Sequence, residues 1–118
     1  MKILIVEDMS GQSRLIHKAV QKNGCHEIIT APDAFDAFAI MKVISIDVVI
    51  LDNEMPFVKG MDLLQKIKAT KEFESVKVIM ITADAEYESF RCLGADGCLH
   101  KPFTGVELNT ALDSMEKS

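Results

Sequence analysis

Four apolar residues in a row, Val48-Val49-Ile50-Leu51, stop abruptly at Asp52. A short run rich in β-branched residues, with no polar residue inside it, predicts a strand buried on both faces. Such strands belong to parallel sheets covered by helices on each side. A carboxylate at the end of one is costly unless something compensates its charge. Pro56 and Gly60 then mark a loop, which puts Asp52 at the strand's C-terminal edge, facing that loop. Open parallel α/β sheets bind ligands at that edge. A solitary aspartate there reads equally well as a solvated loop residue, so the other strand ends decide the matter.

Four more segments read as strands: Lys2–Val6, Glu27–Ala31, Val76–Thr82 and Gly97–His100. The first runs into Glu7-Asp8, the fourth ends in Thr82-Ala83-Asp84, and the fifth runs into Lys101-Pro102-Phe103. Only the second ends inertly, in Ala31-Pro32. Between and after the strands lie five predicted helices. The first follows a Ser10 N-cap, carries Leu15, Ile16, Ala19 and Val20 at helical spacing and stops at Asn23-Gly24. Pro32 and Asp33 open the second, whose inner face is Ala34, Ala37, Phe38 and Met41 with Ile40 and Ile44 alongside. The third runs from about Gly60 to Thr70, with Met61, Leu63, Leu64 and Ile67 inward. The fourth is short, about Ala85 to Leu93, and Gly94-Ala95-Asp96 turns the chain after it. Thr104 caps the last, which reaches about Glu116 and carries Val106, Leu108, Leu112 and Met115 as its apolar residues. Alternation of this kind predicts an α/β fold, a five-stranded parallel sheet with helices on both faces. All five strands then end at one edge, where three carboxylates, a hydroxyl and an amine would gather.

Composition narrows the setting. At 118 residues and 48% hydrophobic, the chain is long enough for one core and reads as a single domain over residues 1–118. No apolar run is long enough to span a membrane, and the N-terminus meets Glu7-Asp8 too soon for a signal peptide. Cys25, Cys92 and Cys98 show no Cys-x-x-Cys spacing and cannot all pair, which fits reduced thiols and a cytoplasmic setting. A net charge of −5 argues against general affinity for nucleic acid. Lys66, Lys68 and Lys71 read as a solvated helix face.

Three carboxylates crowded together raise one another's pKa unless a cation sits among them. Oxygen donors that leave room for water suit Mg²⁺. A lysine adds positive charge without binding metal, and a hydroxyl donates a hydrogen bond. Together these groups answer the needs of a transferring phosphoryl group, and a carboxylate can itself be the nucleophile, forming an acyl phosphate. No Gly-x-x-x-x-Gly-Lys loop is present, so a nucleotide is not the obvious donor.

Five motifs in order, Glu7-Asp8, Asp52-x-x-Met55-Pro56 with Gly60, Thr82-Ala83, Gly94-Ala95-Asp96 and Lys101-Pro102-Phe103, resemble the receiver domain of two-component response regulators over the whole chain. That family has the flavodoxin-like strand order 2-1-3-4-5, for which a chemotaxis receiver is a standard example. The resemblance implies that Asp52 is the phosphoacceptor, and that Asp8, Asp52 and the backbone carbonyl of Glu54 bind Mg²⁺ with Glu7 helping directly or through water. It implies that Lys101 pairs with Asp52 or its phosphoryl oxygen and that Thr82 turns inward to the phosphoryl group. The implied donor is a phosphohistidine on a sensor histidine kinase or histidine phosphotransfer protein; the downstream partner is not implied.

Two departures bear on output. The family's aromatic residue three positions before the lysine is replaced by Cys98, flanked by Gly97 and Leu99. The chain is also about three residues short between Thr82 and Gly94, roughly one helical turn. Tyr87 and Phe90 in the short fourth helix read either as core or as a partner surface. Three functions compete: a phosphorylation-controlled binding module, a phosphorelay intermediate that passes phosphate to another histidine, and a Mg²⁺-dependent phosphohydrolase with an aspartyl nucleophile. The last would want Asp two residues after the nucleophile, where this chain has Glu54, and usually a cap domain.

Overall fold

The computed structural model describes residues 1–7, 16–18, 20, 26–53, 60–83 and 94–116. Its centre is a sheet of β1 (Lys2–Val6), β2 (Glu27–Ala31), β3 (Val48–Asp52), β4 (Lys77–Thr82) and β5 (Gly97–His100). The order is β2-β1-β3-β4-β5 and every neighbouring pair is parallel. This is the expected flavodoxin-like order. Reversal of strand order between β1 and β3 opens a crevice at their C-terminal ends, the ligand position of such sheets.

Helices occur at four places among the described residues rather than five. Ile16, His17, Lys18 and Val20 are helical. Then come α1 (Ala34–Val43), α2 (Gly60–Ala69) and α3 (Gly105–Glu116). The Ser10 cap, the Asn23-Gly24 stop and the short helix over about Ala85 to Leu93 lie outside the described residues. A short 3-10 helix, Lys71–Phe73, follows α2 and was not expected. It buries Phe73, whose ring meets Phe38 edge-to-face at 5.4 Å. β4 starts one residue later than expected, because the Val76 N–H is taken by the Phe73 carbonyl of that turn.

Local chemistry explains the helix starts. Asp33 caps α1 by accepting the Asp36 N–H at 2.8 Å. Thr104 and Glu107 form a reciprocal capping box on α3, each side chain accepting the other's backbone N–H at 3.1 Å. α2 ends where Thr70 turns its hydroxyl back to the Lys66 carbonyl at 2.7 Å.

The strands alternate between two cores, one on each face of the sheet. Leu4, Val6, Val49, Leu51, Val78 and Met80 pack with Ala37 and Met41 of α1 and Leu63, Leu64 and Ile67 of α2. Ile3, Ile5, Val48, Ile50, Ile79, Ile81 and Leu99 pack with Ile16, Val20 and, from α3, Leu108 and Leu112. All five residues of β3 are buried. Each large aliphatic side chain removed from water in this way contributes about 1.5–3 kcal/mol before entropy is counted. Several side chains of the expected apolar faces lie further out: Phe38, Ile40, Ile44, Met61 and Met115 are half-buried and Val106 is 76% exposed. Val106 sits in the first turn of α3, ahead of the inward pair Leu108 and Leu112. No described helix is long and apolar enough to cross a membrane.

Candidate functional site

Strand register brings the charged ends together. Val6 lies opposite Leu51 and Asp52 lies opposite Ile81. Glu7, one step past Val6, therefore comes abreast of Asp52. The faces agree as well: Glu7 follows Ile3 and Ile5, Asp52 follows Val48 and Ile50, and Lys101 follows Leu99. All three continue the face shared with α3. Glu7 and Asp52 are buried, at 5% and 3% exposure, and the Lys101 ammonium reaches Asp52 Oδ1 at 3.0 Å. The pair is well shielded from water, so its attraction is far stronger than that of a surface pair.

The backbone holds this geometry. The Lys101 N–H donates to the Thr82 carbonyl at 2.8 Å, and the Asn53 N–H donates to the Ile81 carbonyl at 2.9 Å. Strand ends β3, β4 and β5 are thus tied to one another just beside Asp52. Asn53 also accepts the Met61 N–H on its side-chain Oδ1 at 3.1 Å, so it caps the first turn of α2. The sequence reading did not single out Asn53; the signal available was an Asn directly after the strand, a residue suited to accepting backbone N–H groups. Gly60 opens α2 hard against this corner. A Cβ there would come within 2.7 Å of the Asp52 carbonyl oxygen and 2.9 Å of Asn53 Cα. Only glycine lets the helix approach so closely.

Thr82 is fully buried at the end of β4, opposite His100 of β5. The alternation along β4 assigns it to the face of Val78 and Met80, not to the face of Asp52. Cys98 lies on that same side: it pairs with Met80 in the ladder and packs, half-buried, against the core of α1 and α2. Asp8 and Glu54 lie outside the described residues. Of the expected metal donors, Glu7 and Asp52 remain, both carboxylates of the kind that suits a hard cation. Among the described residues no group of three His, Cys, Asp or Glu is placed to hold a metal ion.

A second lysine–aspartate pair, also missed in the sequence reading, closes the turn before β5. Lys68 of α2 meets Asp96 at 2.9 Å and donates to the Val76 carbonyl at 3.3 Å. Asp96 accepts the Val78 N–H on its carboxylate at 2.8 Å, and its own N–H donates to the Val78 carbonyl at 2.9 Å. Gly94, at φ +102°, leaves room for the Lys68 stem to pass.

Fold and edge together define a flavodoxin-like α/β domain with a carboxylate–ammonium pair at its switch point. Residues 3–113 match the family model for the response regulator receiver domain, and the chain belongs to that family. It is 36% identical to chemotaxis protein CheY-3 of Vibrio cholerae over 98% of this chain and 91% of that one. It is 29% identical to a CheY homolog of Campylobacter jejuni over 98% and 92%. Among solved structures it is similar to the response regulator TrrA of Thermotoga maritima in complex with Mg²⁺-BeF, at TM-score 0.85 and 30% identity over 97% of each chain. A putative response regulator of Chloroflexus aurantiacus superposes at TM-score 0.92 with 21% identity over 99% and 98%, a likeness of fold.

Proposed function

We propose that Asp52 is the phosphoacceptor of this receiver domain and that its modification switches the affinity of a partner protein. The observation that carries this reading is the Lys101–Asp52 pair at 3.0 Å, formed at a buried strand end abreast of Glu7. In the proposed reaction an Asp52 carboxylate oxygen attacks the phosphorus of a phosphohistidine. A P–O bond forms as the P–N bond breaks, and the leaving imidazole takes up a proton. Lys101 holds the phosphoryl oxygens by charge-assisted hydrogen bonds.

The donor set fits a divalent cation, since Glu7 and Asp52 are both buried carboxylates at neighbouring strand ends. Asp8, Asp52 and the Glu54 carbonyl would hold Mg²⁺, with Glu7 direct or through water. When bound, Mg²⁺ neutralises charge on the phosphoryl group. TrrA, solved with Mg²⁺-BeF, supports this assignment by similarity. The proposed donor is a sensor histidine kinase or a histidine phosphotransfer protein. Incubation with acetyl phosphate and Mg²⁺, borohydride reduction and mass spectrometry should find the label on Asp52 alone. Label elsewhere, or full labelling of Asp52→Asn, would overturn the assignment.

One observation favours a second reading, the phosphorelay intermediate that hands its phosphate to another histidine. At the family's aromatic switch position stands Cys98, half-buried beside Met80. A thiol has no ring to bury or expose, so coupling from Thr82 to the surface through this position should be weak. Amide shift mapping with beryllofluoride and Mg²⁺ should then show large changes in the loops after Asp52 and Thr82 and small ones around Cys98 and α3. Large contiguous shifts from Thr82 through Cys98 to α3 would restore the ordinary output face and sink this second reading.

A further inference from the structure

Helix α1 is unusually apolar for a helix with one face in water. Eight of its ten residues are apolar, and Asp36 and Lys42 are the two charged ones. Ala34, Ala37 and Met41 point into the core. The outward stripe is Phe35, Ala39 and Val43, at i, i+4 and i+8; Phe35 is 71% exposed and Val43 82%, and Ala39 is exposed between them. A contiguous apolar stripe left exposed is one mark of an interaction surface.

The stripe also has a symmetry. About Ala39, Phe35 and Val43 lie four residues away on either side, while Asp36 and Lys42 lie three away on either side with opposite charge. We infer that this face is a two-fold contact with a second copy of the chain. Two α1 helices would cross antiparallel at Ala39. In that arrangement Phe35 of each copy packs beside Val43 of the other, and Asp36 of each comes within reach of Lys42 of the other. A small residue at the crossing point permits close approach, and a two-fold contact must be self-complementary in this way. The charge pattern is what selects this occupant: a second copy supplies a cation against Asp36 and an anion against Lys42 at once. The contact is independent of Asp52, since α1 is no part of the proposed phosphoacceptor site.

One helix stripe is small for an interface, so the dimer should be weaker than about 1 μM. Sedimentation equilibrium on the whole chain, from about 10 μM to about 1 mM, tests it. The wild type should self-associate. Asp36→Lys and Lys42→Asp should each weaken association at least tenfold, because each sets like charges opposite one another. An equimolar mixture of the two should regain wild-type association as a heterodimer, in which every contact is again between opposite charges. Ala39→Glu should abolish association and serves in place of either charge variant that does not fold. A wild type that stays monomeric at the top concentration, single variants that associate as well as wild type, or a mixture that stays monomeric would each overturn the proposal.

Discussion

The molecule contains two lysine–aspartate pairs of nearly equal length, and they behave as opposites. Lys68–Asp96, at 2.9 Å, sits near the start of β4 with its charges balanced one to one. Its carboxylate also accepts the Val78 N–H, and its ammonium also donates to the Val76 carbonyl. Lys101–Asp52, at 3.0 Å, sits at the other end of the sheet, where Glu7 brings a second buried carboxylate abreast of the first and Asp8 follows in the chain. The first pair completes a turn. The second lies at the strand-end crevice, beside a second buried carboxylate, where the proposed phosphoryl chemistry would take place. The two pairs match in length and differ in place: one at a turn, the other at the strand-end crevice.

The largest test of that contrast is chemical. Asp52→Asn should lose phosphorylation by acetyl phosphate completely, while Asp96→Asn should keep it at close to the wild-type level. If both variants label alike, the distinction between the two pairs is wrong.

Stability should show the reverse order. Asp96→Ala strands a half-buried ammonium and the Val78 N–H, and should cost about 1–3 kcal/mol in urea unfolding. Asp52→Asn keeps the side chain's shape and removes one charge from a crowded acidic edge, so it should cost under about 1 kcal/mol or stabilise. A larger loss for Asp52→Asn than for Asp96→Ala would mean that the charge excess at that edge is not felt.

Magnesium sharpens the comparison at smaller amplitude. A ligand at ten times its dissociation constant stabilises the form it binds by about 1.4 kcal/mol. Thermal unfolding with and without Mg²⁺ should show this gain in wild type and in Asp96→Asn, and a diminished gain in Asp8→Asn and Asp52→Asn. Lys101→Ala should keep most of the gain, since an ammonium does not bind metal. Identical Mg²⁺ responses from Asp8→Asn and Lys101→Ala would refute their separate roles.

The strands, their parallel order and the convergence at one edge were legible because buried parallel strands are written as uninterrupted apolar runs. Val48 to Leu51 and Val78 to Ile81 carry most of that signal. The acid, hydroxyl and amine at the strand ends were legible for the same reason, since each breaks such a run. What stayed hidden depends on contacts between distant segments. Lys68 read as one of several solvated lysines, and nothing local announces that Asp96, 28 residues on, takes its charge. Asn53 lay in the shadow of Asp52. The 3-10 turn at Lys71–Phe73 carries no periodicity of its own, and Phe73 is buried through Phe38 rather than through a pattern.

The division of the sheet into two faces has a consequence for how such a chain can diverge. Glu7, Asp52 and Lys101 continue one face, whereas Thr82 and Cys98 belong to the other, and the strand-end bond from the Lys101 N–H to the Thr82 carbonyl joins the two sides. The Cys98 position can therefore vary while the Asp52–Lys101 pair keeps its geometry. An aromatic side chain placed there should alter the packing on the side of α1 and α2 and leave the Asp52–Lys101 pair as it stands.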